Sequence, residues 1–337
     1  MKDKNVLIIY TGGTIGMKKT ELGYSPAKGY FRDALLEIDD INHPDFPSFE
    51  LIELEPLLDS SNMSYLEWNK IGEIIYKNYT SYDGFVVLHG TDTMAYTASA
   101  LSFMLEGLDK PVILTGSQIP LSELRSDGRE NLITSVLIAA GGRVREVALA
   151  FGGKLLRGNR ATKMSADGLI AFDSPNYPHL ADVGISVRYN DTALAQPRSL
   201  ELCFVPFSPV PIGVLKVFPG IQLGLFEEVL CDRLSGIVLE TFGAGNIPNS
   251  SGELLPIIRK AFDKGTVVTV ISQCPLGTVS LGTYETSTGL ASAGAVSGYD
   301  MTTEAAVAKL YYLFSKGLRK DEIKSAMEAN LRGELSR

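Results

Sequence analysis

The most constraining feature of this sequence is a series of short, uninterrupted apolar runs, each bounded by glycine, proline or polar residues. Four of them lie in the first half of the chain, at residues 6–10, 85–88, 112–114 and 147–151. Runs of this length without polar alternation are typical of buried strands in a parallel sheet. The sequence therefore predicts a sheet that forms the centre of its domain.

Helical patterns lie between these apolar runs. Residues 64–79 form one of them, and Ser64 with Glu67 has the spacing of an N-terminal capping box. A second helix, rich in small residues, is predicted at 93–105. Alternating strands and helices indicate an α/β fold with an open, mostly parallel sheet, which binds ligands at the carboxyl ends of its strands.

The alternation lapses between residues 191 and 211, where prolines interrupt a stretch that has no helical face. Beyond it, strands are predicted at 214–218, 237–240 and 267–271, and helices at 253–263, 304–314 and 321–330. We therefore predict a larger N-terminal α/β domain at 1–190, a linker at 191–211 and a smaller C-terminal α/β domain at 212–337.

Charge and hydropathy limit the possible partners. The net charge of −8 is spread along 337 residues without a Lys/Arg-rich run, so we expect no nucleic acid and no membrane surface as partner. The sequence contains no run of about 18 apolar residues, so it predicts no membrane-spanning helix. The apolar run at 6–10 is too short for a secretory signal. Three separated cysteines suit free thiols in a reducing compartment: Cys203, Cys231 and Cys274. We expect a cytoplasmic protein with a small-molecule ligand.

Hydroxyl side chains and glycines follow one predicted strand after another. They form Thr-Gly-Gly-Thr at 11–14, His-Gly-Thr-Asp at 89–92 and Thr-Gly-Ser-Gln at 115–118, and Asp-Ser-Ser at 59–61 follows a further strand-like run. If these strands are neighbours, hydroxyls and carboxylates line one crevice, and the glycines let the backbone approach a ligand closely. The sequence thus predicts a small polar site.

Each of these segments also has a simpler interpretation. The glycines at 12–16 resemble a phosphate-binding turn, although they lack the Lys-Ser/Thr of a P-loop and the spacing of the dinucleotide fingerprint. Thr91 and Asp92 are residue types that cap a helix, and the helix predicted at 93 follows them directly. Residues 59–61 equally fit a turn.

The familiar catalytic constellations are absent. The three histidines are dispersed and offer neither a triad base nor a metal cluster, and the GxSxG and HExxH motifs do not occur. We therefore expect no metal and no cofactor. A nucleophilic hydroxyl would need a base among lysine, tyrosine and carboxylates, and a desolvated lysine is a known physical route. Lys163, in the polar stretch 157–167, is the candidate.

Two segments carry a resemblance to a known family. Thr-Gly-Gly-Thr-Ile-Gly at 11–16 and Leu-His-Gly-Thr-Asp-Thr-Met at 88–94 match the two signatures of bacterial-type L-asparaginases. The match continues through residues 59–61, 115–117, 125–128, 162–163 and 243–246. The chain thus resembles this family over nearly its whole length and is similar to its cytoplasmic type I branch.

The resemblance implies an activity and an assembly. Members hydrolyse L-asparagine to L-aspartate and ammonia without a cofactor, and the larger N-terminal domain is the catalytic one. The smaller domain packs against a partner subunit's site, so a homodimer or homotetramer is expected. Weaker glutaminase activity is also expected, because the two amides differ by one methylene and such discrimination is modest.

The resemblance also implies catalytic roles. Thr14 corresponds to the nucleophile that forms an acyl-enzyme, and Tyr24 to a tyrosine on the same loop that orients it. Thr91, Asp92 and Lys163 correspond to a group that serves the acid-base steps.

The remaining matched residues are expected to bind substrate: Asp59, Ser60, Ser61, Ser117 and Asn246. Ser60 corresponds to the residue that binds the α-carboxylate, and Asn246 to one that reaches a neighbouring subunit's site. Ser61 stands where many periplasmic members have glutamine. Glu240 replaces the basic residue expected at a separate inter-subunit asparagine site, so we expect no activation there.

Two other functions stay open at this point. The ammonia-generating subunit of a tRNA-dependent amidotransferase shares the motifs, but the sequence has no basic tract for tRNA. A non-catalytic sensor of asparagine or aspartate could use the same scaffold. Since every matched catalytic position carries the expected side chain, an amidohydrolase is favoured.

Overall fold

The computed structural model describes residues 1–21, 23–27, 29–196, 200–248, 252–282 and 285–337. The chain divides into two compact units, Met1–Pro206 and Phe207–Arg337. The division falls inside residues 191–211, where part of the chain is a strand of the first unit rather than irregular. The exact extent of a linker stays a prediction.

The first unit contains four described α-helices and fourteen described strands. The helices are α1 (Tyr30–Leu36), α2 (Tyr65–Asn78), α3 (Met94–Met104) and α4 (Gly128–Gly141). The strands are β1 (Asn5–Gly12), β2 (Met17–Thr20), β3 (Gly23–Pro26), β4 (Ser48–Leu58), β5 (Gly84–Leu88), β6 (Leu105–Glu106), β7 (Val112–Thr115), β8 (Val147–Phe151), β9 (Lys154–Arg157), β10 (Thr162–Lys163), β11 (Phe172–Asp173), β12 (Ala181–Val183), β13 (Val187–Tyr189) and β14 (Cys203–Phe204).

Eight of these strands form one sheet in the order β13-β12-β9-β8-β7-β5-β1-β4. The five strands from β8 to β4 are parallel, and β9, β12 and β13 continue the sheet in antiparallel pairing. The parallel strands β5, β7 and β8 are buried along their whole length, as expected from their uninterrupted apolar sequence. The prediction of an open, mostly parallel sheet is confirmed.

The helix that precedes β5 begins as the sequence predicts. The Ser64 side chain and the Glu67 carboxylate form a capping box at the start of α2, and the Ser64 amide donates to Glu67 Oε2 at 3.0 Å. Helix α3 differs from α2 because almost all of its side chains are buried. Its small residues let it pack closely inside the unit.

The second unit has its own parallel sheet, so the prediction of a smaller C-terminal α/β domain is confirmed. Its strands β15 (Ile212–Lys216), β16 (Gly236–Thr241), β17 (Val267–Ser272) and β18 (Val296–Ser297) are hydrogen-bonded in that order. Its described α-helices are α5 (Leu254–Asp263), α6 (Glu285–Ser292), α7 (Thr303–Ser315) and α8 (Lys320–Met327). Within the described ranges of both units, no helix is long and apolar enough to cross a bilayer.

A buried ion pair fastens the end of the chain to α7. Lys309 Nζ and Glu334 Oε1 are 2.6 Å apart, and both side chains are fully buried. Lys309 also donates to the carbonyl oxygens of Met327 and Ala329, while Glu334 accepts from the amides of Leu331 and Arg332. Burial lowers the pKa of Lys309. The hydrogen bonds replace water around both charges, which is what a buried pair requires.

Candidate active site

Three neighbouring strands of the first unit, β1, β5 and β7, end at the same edge of the sheet. Glycines let the segments that follow them approach closely. A Cβ atom added to Gly13 would lie 2.4 Å from the Gly90 nitrogen, and one added to Gly90 would lie 2.5 Å from Ser60 Oγ. Gly13 also has a φ of 87°, which other residues rarely adopt. Side chains at either position would separate the walls of the site.

A cavity of about 250 Å³ opens at this edge. Its lining consists of Gly13, Thr14, Met17, Asp59, Ser60, Gly90, Thr91, Asp92, Gln118, Lys163 and Ala166. The structure thus brings together six of the predicted site residues: Thr14, Asp59, Ser60, Thr91, Asp92 and Lys163. The small volume and the hydroxyl, amide and charged groups suit a small polar ligand.

The Lys163 ammonium joins the two polar side chains that follow β5. It donates to Thr91 Oγ1 at 2.9 Å and to Asp92 Oδ1 at 2.7 Å. Lys163 lies on β10, which pairs with β11, and 19% of its side chain is exposed, whereas 66% of the Asp92 side chain is exposed. The lysine is therefore held in the wall of the cavity, next to a hydroxyl and a carboxylate.

Thr91 and Asp92 do not cap the helix that follows them. Thr93 is the N-cap residue of α3, and no side chain makes a cap hydrogen bond there. The Thr93 hydroxyl instead donates to the Ser60 carbonyl at 2.7 Å. The capping interpretation of Thr91 and Asp92 is therefore wrong, because both side chains interact with Lys163.

Gln118 lines the cavity although it was not among the predicted site residues. Its Oε1 accepts from the Thr91 hydroxyl at 3.1 Å, and its Nε2 donates to the carbonyls of Ala166 and Gly168. The Asp127 carboxylate accepts from its backbone amide. The Thr91 hydroxyl thus accepts a hydrogen bond from Lys163 and donates one to Gln118. These two bonds fix the direction of its O–H group. The only sequence signal was the place of Gln118 three residues after the end of β7, in the Thr-Gly-Ser-Gln segment at 115–118.

Thr14 begins a short 3-10 turn, Thr14–Gly16, directly after β1. Among the described residues no hydrogen bond engages the Thr14 hydroxyl, so it is available to a ligand in the cavity. The chain then enters the hairpin of β2 and β3 rather than an α-helix. The segment therefore lacks the helix N-terminus on which phosphate-binding turns depend, and a nucleotide site is not supported.

Residues 59–61 form a turn and also reach the cavity. Asp59 Oδ1 accepts from the amide and from the hydroxyl of Ser61, both at 2.9 Å. Asp59 and the buried Ser60 line the cavity, whereas Ser61 does not. The turn interpretation and the site interpretation are thus both compatible with this geometry.

Tyr24 lies on β3, and 45% of its surface is exposed. A hydrogen bond with the Glu123 carboxylate raises the pKa of Tyr24. The side chain is not in the lining of the cavity. In this arrangement of the hairpin, Tyr24 is therefore separated from the other predicted catalytic residues.

Ser117 and Asn246 also lie outside the cavity lining. Ser117 is buried, and its hydroxyl has no hydrogen-bond partner among the described residues. Asn246 belongs to the second unit, where its amide donates to the Phe242 carbonyl at 2.8 Å after β16. Their assignment as substrate-binding residues stays a prediction.

The described part of the chain holds no group of three or more His, Cys, Asp and Glu residues that could bind a metal ion. The three cysteines are free thiols, and only Cys231 is buried. His89 is fully buried beside the cavity. The ionisable groups available for chemistry in the cavity are therefore Asp59, Asp92 and Lys163.

Comparison with known proteins agrees with this architecture. Residues 5–195 match the family model "Asparaginase, N-terminal", and residues 211–327 match "Glutaminase/Asparaginase C-terminal domain". L-asparaginase 1 of Escherichia coli is 47% identical over 336 residues, which cover 100% of this chain and 99% of that protein. The crystal structure of L-asparaginase I from Vibrio cholerae superimposes with a TM-score of 0.92 at 46% identity, covering 99% of this chain and 100% of the other.

A more distant relative corresponds to the alternative function. A glutamyl-tRNA(Gln) amidotransferase subunit of Methanobrevibacter smithii is 31% identical over 365 residues, covering 99% of this chain and 77% of that protein. The two asparaginases described above match with higher identity and along nearly their whole length. Both family models, these relatives and the cavity at the strand ends lead to one conclusion: the chain belongs to the asparaginase family.

Proposed function

We propose that this protein hydrolyses the side-chain amide of L-asparagine to L-aspartate and ammonia, with weaker activity on L-glutamine. The observation that carries the proposal is the Lys163 ammonium, bonded to Thr91 and Asp92 in the wall of a small polar cavity that Thr14 also lines. Full-length similarity to asparaginases supports the same substrate.

The reaction is proposed to run in two steps on Thr14. Its hydroxyl oxygen attacks the amide carbon, while the Lys163 ammonium beside Thr91 gives a proton to the amide nitrogen, which leaves as ammonia. The lysine amine formed in this way takes up the proton of the Thr14 hydroxyl. Water then attacks the resulting ester, releases aspartate and restores the Thr14 hydroxyl. A carboxamide is a poor electrophile, so two smaller barriers replace one large barrier.

The charged ends of the amino acid have complementary groups in the cavity. The Asp92 carboxylate is exposed to it and suits the substrate α-ammonium, while the hydroxyl and amide groups at Ser60 suit the α-carboxylate. Asp59 holds this turn in place through its bonds to Ser61. Tyr24 is proposed to orient Thr14 after the β2–β3 hairpin moves over the cavity.

Ammonia release from L-asparagine tests the proposal. We expect Thr14→Ala and Lys163→Met to lower kcat by a factor of about 10³ or more, because the nucleophile or its proton carrier is lost. Lys154→Met is the matched control, since Lys154 also forms an aspartate pair, at 2.8 Å to Asp173, and is similarly buried but lies outside the cavity. Near wild-type turnover by Thr14→Ala or Lys163→Met would exclude the mechanism.

The assembly and location are proposed on the same basis. We propose a cytoplasmic homodimer or homotetramer in which Asn246 and Ser117 complete the substrate site of the assembled enzyme. Light scattering should give a multiple of the 36.5 kDa chain mass. Ammonia release that requires a second protein and charged tRNA would instead favour the amidotransferase function.

A further inference from the structure

His89 makes two side-chain hydrogen bonds in the interior behind the cavity. It follows β5, has no exposed surface, and is not in the cavity lining. Its Nδ1 lies 2.7 Å from the Gly90 carbonyl oxygen, and its Nε2 lies 2.8 Å from Thr97 Oγ1. Thr97 Oγ1 also accepts from the Trp68 indole nitrogen at 3.0 Å. Both ring nitrogens of His89 are thus engaged by groups of known polarity.

These contacts define which ring nitrogen carries the proton. The Gly90 carbonyl can only accept, so Nδ1 must donate to it. Burial lowers the pKa of His89 from 6.5 to about 4, which leaves a single ring proton at neutral pH. Nε2 therefore accepts from the Thr97 hydroxyl, whose oxygen already accepts from Trp68. Donation runs in one direction, from Trp68 through Thr97 and His89 to the Gly90 carbonyl.

The Gly90–Thr91 peptide group is oriented by this series. In a trans peptide the carbonyl and the N–H point in opposite directions. Because the Gly90 carbonyl points to the buried ring, the Thr91 N–H points away from it. Gly90 and Thr91 both line the cavity, and within the described ranges no group accepts a hydrogen bond from the Thr91 amide. A backbone donor at the cavity wall is thus left available.

We propose that His89, in its uncharged Nδ1–H form, is a positioning residue that fixes the Gly90–Thr91 peptide so that the Thr91 N–H stabilises the substrate's carbonyl oxygen as it becomes negatively charged. This inference rests on the proposed amide hydrolysis. A preorganised donor acts mainly on the transition state, because the charge on the oxygen develops only there. His89 therefore acts on kcat through the backbone, without contacting substrate.

The first test separates kcat from KM. His89→Leu removes the bond to the Gly90 carbonyl, and we expect kcat for asparagine to fall about 10- to 100-fold while KM changes less than about threefold. His89→Asn places an amide donor near the position of Nδ1, and we expect it to recover at least half of that loss on a logarithmic scale. Equal loss in both variants, or a change confined to KM, would overturn the proposal.

Misfolding is controlled by a milder variant and by aspartate binding. Thr97→Val keeps the side-chain shape but removes the hydroxyl that orients the ring, and it should lower kcat about three- to tenfold. Thr241→Val, which removes another buried threonine hydroxyl, bonded to Ile271 in the second unit, should leave kcat unchanged. All variants should bind aspartate in a calorimeter as the wild type does. Unchanged kcat in Thr97→Val would contradict the role of His89.

A measurement that needs no catalysis tests the protonation state. Nitrogen-15 NMR of the histidine side chains should show one imidazole with a proton on Nδ1 alone, unchanged between pH 5.5 and 8 because the pKa of His89 is about 4. A ring protonated on Nε2, or one that titrates in this interval, would refute the positioning role. If the protein releases no ammonia from asparagine, the hydrolytic function fails while this measurement still decides the state of His89.

Discussion

Gln118 controls the direction of one hydroxyl in the cavity. Its Oε1 is the acceptor for the Thr91 hydroxyl, which in turn accepts from Lys163. Without that acceptor the Thr91 proton can rotate towards the lysine side of the cavity, where it would compete with the proposed proton transfer. The role proposed for Thr91 therefore depends on a neighbour that carries no charge.

Replacement of Gln118 tests this dependence. We expect Gln118→Leu to lower kcat for asparagine about tenfold, because the Thr91 hydroxyl loses its fixed direction and the carbonyls of Ala166 and Gly168 lose their donor. Gln273→Leu is the matched control, since Gln273 also donates to two backbone carbonyls but lies in the second unit. Steady-state ammonia release measures both, and equal effects would contradict the assignment.

His89 gives the folded protein a specific dependence on pH. Its pKa falls from 6.5 to about 4 on burial, so between these values the unfolded chain binds more protons than the folded one. The stabilisation is complete above pH 6.5 and is lost as the pH falls to about 4. Its full size is about 3 kcal/mol by the standard conversion of pKa shifts.

Urea unfolding at pH 7 and pH 4.5 measures this contribution. We expect the free energy of unfolding to fall more steeply with decreasing pH in the wild type than in His89→Asn, which has no ring to protonate. The difference between the two proteins removes the contribution of the carboxylates, which titrate in both. Parallel pH dependence in the two proteins would show that His89 does not provide the effect.

The sequence was only partly informative about the residues of the site. Thr91 and Asp92 stand at a predicted strand end, but their local sequence fitted a helix cap equally, and only the family resemblance gave them a role. Lys163 became a candidate because the sequence offers no histidine base beside a nucleophilic hydroxyl. Gln118 could not be selected, since an amide gains its role only from the carbonyls and the hydroxyl that the fold brings to it. The orientation of Tyr24 also depends on how the hairpin lies, which local sequence does not determine.

At the level of elements, the site depends on how closely the turns after β1 and β5 approach each other. Gly13 and Gly90 form this contact without side chains. Ser60, in the turn after β4, packs against Gly90 from the other side. Strand order alone would bring the segments near one another. The glycines reduce the separation to backbone contact, and this is what makes the cavity small.

Alanine at Gly13 tests this contact. Its Cβ would lie 2.4 Å from the Gly90 nitrogen at a φ of 87°, so the turn must move and we expect kcat/KM to fall at least 100-fold. Gly142→Ala is the control, because Gly142 has a φ of 64° but open space around it. It should cost about 1 kcal/mol of stability and leave kcat/KM unchanged. Similar activity of the two variants would exclude close packing as the reason for Gly13.

The parallel strands were predictable because burial on both faces leaves uninterrupted apolar runs in the sequence. The antiparallel part of the sheet was not, since β12 and β13 are three residues long and only partly buried. The hairpin of β2 and β3 was missed for a related reason, because its exposed polar residues show no apolar alternation. Short, half-exposed strands depend on partners that lie elsewhere in the chain.

At the scale of the whole molecule, each unit has its own sheet and core. In the second unit the pair between Lys309 and Glu334 is fully buried. We expect Lys309→Met to destabilise this unit by about 3–5 kcal/mol, because the Glu334 charge stays buried without its partner. Lys309→Met combined with Glu334→Gln should cost less, since no charge remains and the glutamine oxygen still accepts from Leu331 and Arg332. Denaturant unfolding of the three proteins measures the difference, and an equal loss in both variants would exclude charge burial as its cause.

The position of Glu334 has a practical consequence for dividing this protein into separately expressed parts. The region shared with the C-terminal family model ends at residue 327, seven residues before the carboxylate that neutralises Lys309. A fragment cut at that limit would retain Lys309 on α7 but would lack two of its three acceptors, the Glu334 carboxylate and the Ala329 carbonyl. A separately expressed version of this half that keeps the ion pair must therefore extend at least to Glu334, beyond the boundary of sequence similarity.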